Sequence, residues 1–417
     1  MSPGTPVSGP ARATMSPGTP VSGPARAGKK FANPSGHSYA STSEQPLSMK
    51  HVDRTLRELA EKAASPRAKK ALTGIDGFVD KIVHPVDRRS GMGENYTAIP
   101  TITDFAKRIE SAAGKSANIE LYPVVEKLGG NGPIMADAQC SLGLPVRYVG
   151  ALGRPSLHPV FHDFAERTRA VSLTEPGVTH AAEFNDGKIM LGTMASLDEI
   201  TYERIIEVMG EGPFMEALSE AELVSMVNWT MIPQLTSVFE ALLDKALPNL
   251  GPLENRHFFF DLADPQKRSA TDIANVLRVI ARFQAHGRVI LGLNLREAQQ
   301  VAETLGLAAL GETPEDLRKM ADRLRSELSV HNVVIHPSDG AACATREDAW
   351  YVAGPYTERP RITTGAGDHF NAGFATGQII GLSPEASLTL AAATSGFYVR
   401  NAKSPSMDDL ETFMREW

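Results

Sequence analysis

The chain predicts an α/β fold, with a mainly parallel central sheet, helices on both of its faces and a small β lid. Three observations lead there. From residue 51 onward, amphipathic stretches alternate with short β-branched or apolar runs, the pattern of strands joined by crossover helices. The runs are apolar enough to be covered on both sides, as parallel strands are. Two segments, 82–124 and 178–194, break the rhythm with turn residues and a hairpin pattern, and these read as the lid.

The elements follow in order. VDRTLRELAEKAAS (52–65) has helical spacing, and ALTGIDGFVD (71–80) reads as a buried strand running into a glycine turn. In the first lid segment only DFAKRIESAAG has helical spacing. In the second, HAAEFNDGKIMLG predicts a hairpin turning at Asn185, Asp186 and Gly187. Further strands are predicted at PVRYVGAL, ELVSMVNW, HFFFDLA, RVILGLN and NVVIHP. Most are followed by a helical stretch such as TDIANVLRVIARFQ or EDLRKMADRLRSEL. Ligands of such sheets sit beyond the carboxyl ends of the strands.

The N-terminus contains a tandem repeat, MSPGTPVSGPARA at 1–13 and again at 15–27. Its Pro, Gly, Ser and Thr cannot bury enough apolar surface to offset chain entropy, so 1–48 is expected to be a disordered leader. Residues 49–417 are then one domain with its lid insertions. The 417 residues carry 42 Lys plus Arg against 49 Asp plus Glu, a net charge of −7. That balance argues against a general partner in nucleic acid or anionic membrane. The two cysteines, Cys140 and Cys343, stand apart without metal-ligand spacing, and no apolar run is long enough to span a bilayer. A cytoplasmic location is the expectation.

The strongest chemical signal is RITTGAGDHFNAGF, beginning at Arg361. Thr363, Thr364, Gly365, Ala366 and Gly367 form a small-residue turn leading into an apolar helix, so unpaired amides converge on one spot and favour an anion. Asp368 in the first turn has the place of a general base beside a transferring phosphoryl group. An acidic residue that only stabilises its own helix would look the same. GKS at 114–116 is not a phosphate loop, because Ile109 stands where glycine is required.

These residues resemble the signature DTxGAGDxF of the ribokinase-like (PfkB) carbohydrate kinases, and the resemblance extends over about 51–417. It implies that Asp368 is the catalytic base, that Gly365, Ala366 and Gly367 form the anion hole, and that Thr363, Thr364 and Gly367 contact ATP. Asn294 and Glu297 match the family's NxxE element, which implies a Mg2+ site; a helix cap is the plain alternative. EKLGGNGPIMADAQCSLG resembles the first signature, placing Gly129, Gly130 and Asn131 at a sugar. GIDGFVDKI resembles the N-terminal strand, with Asp80, and also Asp76, as acceptors for sugar hydroxyls. The implied activity is ATP-dependent phosphorylation of a sugar or sugar-like hydroxyl, with a homodimer through the lid as a further expectation.

The chain also departs from the pattern. Ile134 and Met135 precede Ala136 where an Asn is usual, Ile362 replaces an Asp, and His336, Pro337 and Ser338 replace a glycine loop. Arg268 follows a segment resembling the family's D-P-R, within reach of phosphate. A nucleoside kinase is one alternative, with Phe78, Phe184 or Trp229 as base platform; a non-catalytic sugar-binding regulator is another. An acidic protein that binds ATP has to rely on backbone amides, magnesium and a few local cations.

Overall fold

The computed structural model describes residues 47–62, 65–251 and 255–417. The leader read over 1–48 lies outside the described residues except for its last two, which already begin the helix Leu47–Lys62. Among the described residues the strands in chain order are β1 (Ala71–Gly74), β2 (Phe78–Arg89), β3 (Tyr96–Ala98), β4 (Leu121–Gly129), β5 (Val146–Gly150), β6 (Val171–Ser172), β7 (Gly177–Phe184), β8 (Gly187–Thr193), β9 (Leu223–Met226), β10 (His257–Asp261), β11 (Arg288–Asn294), β12 (Asn332–His336), β13 (Gly340–Ala344) and β14 (Ala349–Ala353). Each strand predicted outside the lid contains one of them.

The central sheet has the order β14-β13-β12-β11-β10-β9-β1-β5-β6. All pairings from β6 across to β12 are parallel, and β13 and β14 close the far edge as antiparallel strands. Alternation along each strand divides the core into two layers. Phe258 and Phe260 join one, where Phe260 meets Phe239 and Phe283 edge-on at 5.1 Å, while Phe259 joins the other together with Phe374. Full burial of each such ring contributes roughly 1.5–3 kcal/mol. The helices Tyr202–Met209, Ala270–Arg282 and Pro314–Leu328 cover the first layer, and Asn131–Ser141, Ala366–Ile379 and Pro384–Asn401 cover the second.

A second sheet carries the strands β3-β2-β7-β8 in that order, with β4 also paired to β2. It takes in both segments read as lid and extends beyond the first, because β2 already begins at Phe78 and β4 runs on to Gly129. The hairpin β7–β8 turns at Asn185 and Asp186, and the helix Ile102–Glu110 packs beside it. Asp80 on β2 faces Lys127 of β4 and Thr179 of β7 in register.

The parallel strands end together. Asp76 follows β1, Asn228 follows β9, and Asp261, Asn294 and His336 are the last residues of β10, β11 and β12. Polar side chains released at one edge of a buried sheet need partners there, and the ends of the helices supply them. Among the described residues no helix is long and apolar enough to cross a membrane. Both cysteines are free thiols.

Candidate active site

The site is built on buried carboxylates. Asp76 is fully buried, and its oxygens accept from the amides of Asn131 (3.0 Å) and Gly132 (2.8 Å) and from the Asn228 side chain (2.5 Å). Asn228 aims that side chain from a left-handed backbone at φ 63°, which asparagine tolerates better than most residues. Burial pushes Asp76 up to about 6 against the pull of these donors. Its carboxylate is therefore fully engaged in holding the start of the helix Asn131–Ser141, and its oxygens face amides instead of an open cavity. That departs from the sugar-acceptor place the resemblance implies for Asp76.

The glycines of GGNG follow from the same crowding. A methyl group on Gly129 would lie 2.5–2.6 Å from the Asp80 carboxyl atoms, and one on Gly132 would lie 2.6 Å from Asp76 and 2.5 Å from the Tyr148 hydroxyl. Gly130 has φ 97°, a conformation that costs a side-chain-bearing residue about 1–2 kcal/mol. Asn131 then reaches across with its side chain, Nδ2 donating to Asp368 Oδ1 at 2.8 Å. One residue thus links the Asp76 pin to Asp368.

Asp368 stands in the first turn of the helix Ala366–Ile379, whose N-cap Gly365 has φ 89°. Burial raises Asp368 to about 8; Asn131 pulls it down, and the charges of Asp76 and Glu297 add to the rise. The loop before it is held by two aromatic rings. The Tyr398 hydroxyl donates to Thr364 O at 3.0 Å, His369 Nδ1 lies 2.8 Å from Gly365 O, and the two rings stack at 3.6 Å. The Ala366 amide closes a turn onto Thr363 O at 3.1 Å, whereas the Gly367 and Asp368 amides have no backbone acceptor among the described residues. Of the anion hole read over 365–367, Ala366 spends its amide inside the turn, while Gly365 and Gly367 have no backbone acceptor among the described residues and Asp368 adds a third such amide.

Asn294 and Glu297 form a capping box. Asn294 Oδ1 accepts from the Glu297 amide at 3.0 Å, and Glu297 Oε2 accepts from the Asn294 amide at 2.9 Å. Glu297 Oε1 takes a third amide, that of Asp264, at 2.9 Å. The plain reading as a helix cap is therefore present, and Asn294 also lines a cavity of about 640 Å³. Sequence reasoning passed over a neighbour, Asp261. It is buried, held well above its ordinary range first by burial and then by the charges of Glu297 and Asp368, and its Oδ1 has no partner. Its Oδ2 accepts from Asn371 at 2.8 Å. It ends the strand HFFFD, and no local sequence pattern marks it as part of the site.

Two cavities meet at the TTGAG loop. One of about 640 Å³ is lined by Thr363, Ala366 and Gly367 together with His336, Gly354 and Ser395. The other, of about 340 Å³, is lined by Asp80, Lys127, Ile134, Thr364, Tyr398 and Lys403. Burial pushes Asp80 upward, which Lys127, the Thr179 hydroxyl and Lys188 partly offset. Gly129 and Asn131 border this region, and Ile134 packs at Gly365 where the resemblance expects an Asn. His336 lies against Phe370 and is lowered to about 4 by burial, and Ile362 lines the smaller cavity. The Arg268 guanidinium lies over the Trp229 ring at 4.6 Å. Among the described residues no cluster of three or more His, Cys, Asp or Glu has metal-holding geometry.

A family model described as prokaryotic ketohexokinase matches residues 46–417. A ketohexokinase from Haloferax volcanii is 28% identical over 347 residues, which is 82% of this chain and 90% of that protein. Among solved structures, a fructokinase with bound ATP from Xylella fastidiosa superimposes with a TM-score of 0.58 at 14% identity, covering 83% of this chain and 98% of its own. A ribokinase from Thermotoga maritima gives 0.54 at 17% identity, over 83% and 98% of the two chains. An adenosine kinase from Sinorhizobium meliloti gives 0.57 at 18% identity, over the same shares. These structures share the fold.

Gly129→Ala tests the crowding directly. The added methyl displaces the Asp80 carboxylate and is expected to weaken sugar binding by about tenfold or more, the worth of one charged hydrogen bond. Calorimetry with sugars and with ADP checks it, and ADP affinity is expected to stay unchanged.

Proposed function

The chain belongs to the prokaryotic ketohexokinase family and is an ATP-dependent sugar kinase, and from that premise we propose that its acceptor is a ketohexose bound at Asp80. The observation that carries this reading is the shared TTGAG loop. One loop lines a large cavity on one side and a smaller cavity containing Asp80 on the other, with Asp368 in the turn between. ATP occupies the large cavity and presents its γ-phosphoryl group at the free amides of Gly367 and Asp368. Thr363 and Thr364 flank the phosphates, and Gly365 allows the close approach.

The sugar lies in the smaller cavity. Asp80 accepts from its hydroxyls, and Gly129, Gly130 and Asn131 allow its ring to approach the backbone. Asp368 removes the proton of the attacking hydroxyl, a task that suits a carboxyl poised near 8. Asn131 orients Asp368 through its 2.8 Å hydrogen bond and keeps one oxygen of the base free of solvent. Asp76 acts one step back by fixing Asn131.

Magnesium fits beside this arrangement. The unpartnered Asp261 Oδ1, with Glu297 adjacent, is a buried excess of negative charge that a hard cation would relieve. Asp261 and Glu297 would hold it together with water and phosphate oxygens, and the ion would neutralise phosphate charge. Asn294 contributes through the cap that orients Glu297.

A nucleoside acceptor is disfavoured by the aromatic residues named for it. Trp229 is buried beneath Arg268, Phe78 is buried against Gly177, and Phe184 packs on Phe105 at 5.3 Å. Of the three, Trp229 and Phe78 are buried and Phe184 is half-buried. The regulator reading is disfavoured by the membership of the ketohexokinase family. The lid also bears an apolar row. Val125, Ile82, Ala181 and Met190 lie side by side across β4, β2, β7 and β8, with Val125 and Met190 49% and 48% exposed. Pairing of two lids over this row gives a homodimer.

Turnover with ATP, Mg2+ and a panel of ketohexoses, aldohexoses and nucleosides tests the acceptor, and a clear preference for an aldohexose or a nucleoside would reject it. Asp368→Asn is expected to lower kcat by ~10² to 10⁴. For the wild type, kcat/KM is expected to rise with pH and level off above about 8, since the free base must lose its proton first. Because the folded carboxyl holds a proton that the unfolded chain releases near 3.8, its contribution to stability falls as pH rises from there toward 8. Thermal unfolding of Asp368→Asn relative to wild type is therefore expected to shift in favour of the variant over that range. Val125→Glu combined with Met190→Glu is expected to convert the dimer into a monomer in analytical ultracentrifugation.

A further inference from the structure

The charge in this site does not balance. Asp76, Asp80, Asp261, Glu297 and Asp368 are all buried at one edge of the molecule. ATP adds further negative charge to them, yet the residues lining the 640 Å³ cavity include neither lysine nor arginine. A phosphoryl group in transfer spreads charge over its outer oxygens, and catalysis of that step rests on donors and cations already aimed at them. The free amides of the loop and one divalent ion leave that demand partly unmet.

A cation is present nearby, on the lid. Lys188 is the second residue of β8, and its Nζ donates to Thr364 Oγ at 3.2 Å across 176 positions of sequence. Thr364 directly precedes Gly365, the N-cap of the helix that bears Asp368. Among the described residues Lys188 takes part in no ion pair, so its charge is held on a hydroxyl and remains available. Other basic groups in the region are placed differently. Lys127 and Lys403 line the sugar cavity, and Arg268 lies on Trp229.

The hairpin fixes where Lys188 points. Lys188 pairs with Glu183 in register, and Asp186 Oδ1 in the turn accepts from the Ile102 amide at 2.9 Å, tying the tip to the adjacent helix. β7 pairs in turn with β2, which carries Asp80. A single sheet thus holds the acceptor's carboxylate and this ammonium group. Seating the sugar and presenting the cation become one movement.

We propose that Lys188 is a further catalytic residue, a lid-borne cation that leaves the Thr364 hydroxyl to donate to a γ-phosphoryl oxygen during transfer. This rests on the sugar-kinase reading above and extends it. The acceptor oxygen forms its bond to the γ-phosphorus as the bond from that phosphorus to the β–γ bridging oxygen breaks. The electron pair leaves with ADP and the hydroxyl proton goes to Asp368. Lys188 takes no part in the proton transfer and exchanges one oxygen partner for another.

The test compares full-length wild type with Lys188→Met and Lys188→Arg. Lys188→Met is expected to lower kcat by ~10² to 10³, the cost of removing one donor from a developing oxyanion, with the sugar KM within about threefold of wild type. Lys188→Arg keeps the charge and is expected to recover at least about tenfold of that loss. A second measurement needs no acceptor. Calorimetric binding of ADP with aluminium fluoride, a mimic of the transferring group, is expected to weaken at least about thirtyfold in Lys188→Met while ADP alone binds as in wild type. A kcat within about threefold of wild type, or equal weakening of ADP and of ADP with aluminium fluoride, would overturn the proposal. A wild type that phosphorylates no ketohexose would instead overturn the acceptor reading, and the fluoride comparison would still decide for Lys188.

Discussion

Asp76 is the residue on which the rest of the site depends. A carboxylate with no exposure to water is stable there only because two helix amides and one asparagine amide converge on it. Satisfying it brings together the end of β1, the start of the helix Asn131–Ser141 and the residue after β9. That convergence brings glycine backbone up to the carboxylates, because the space a side chain would need at 129 and 132 is already filled by oxygens. It also sets the reach of Asn131 to Asp368. Asp368 is thus located by a hydrogen bond whose other end is anchored in the sheet.

Burial imposes a second constraint, on charge. Asp76, Asp261, Glu297 and Asp368 are each held above the ordinary carboxylate range by desolvation, and some of them raise one another further. Such crowding is costly in the free protein and becomes useful when cations and phosphate arrive, since the same desolvation strengthens every interaction made inside. For Asp368 it produces a carboxyl of raised proton affinity, which suits the base proposed for it. The lid brings lysines from outside the central sheet, Lys127 on β4 and Lys188 on β8, strands of the same sheet as Asp80 on β2.

The architecture was largely legible in the chain. Apolar runs such as HFFFDLA and RVILGLN became strands buried on both faces because nothing else hides so many contiguous apolar groups, and the amphipathic stretches between them became their cover. The TTGAGD turn was legible because glycines before an apolar helix have few other uses. Asp261 was missed because a carboxylate ending a strand has no local pattern to mark it, and its significance lies in an oxygen left without a partner. Lys188 was missed for a related reason, since one lysine beside a hairpin turn resembles any solvated charge. NxxE was ambiguous because a capping box and a cation ligand require the same two residue types at the same spacing.

The sequence by itself determined what is local or periodic: the alternation of strands and helices, the hairpin at Asn185 and Asp186, and the glycine turn carrying Asp368. Tertiary structure decided which of the acidic residues was free to act. Asp76 and Asp80 stand four positions apart in similar surroundings, yet one is consumed by amides and the other faces a cavity. Hydrogen-bond satisfaction depends on what arrives from distant parts of the chain, and the donors here come from residues 131, 132, 228 and 179. Local pattern proposes a carboxylate, and packing against remote segments determines its charge, its partners and its use.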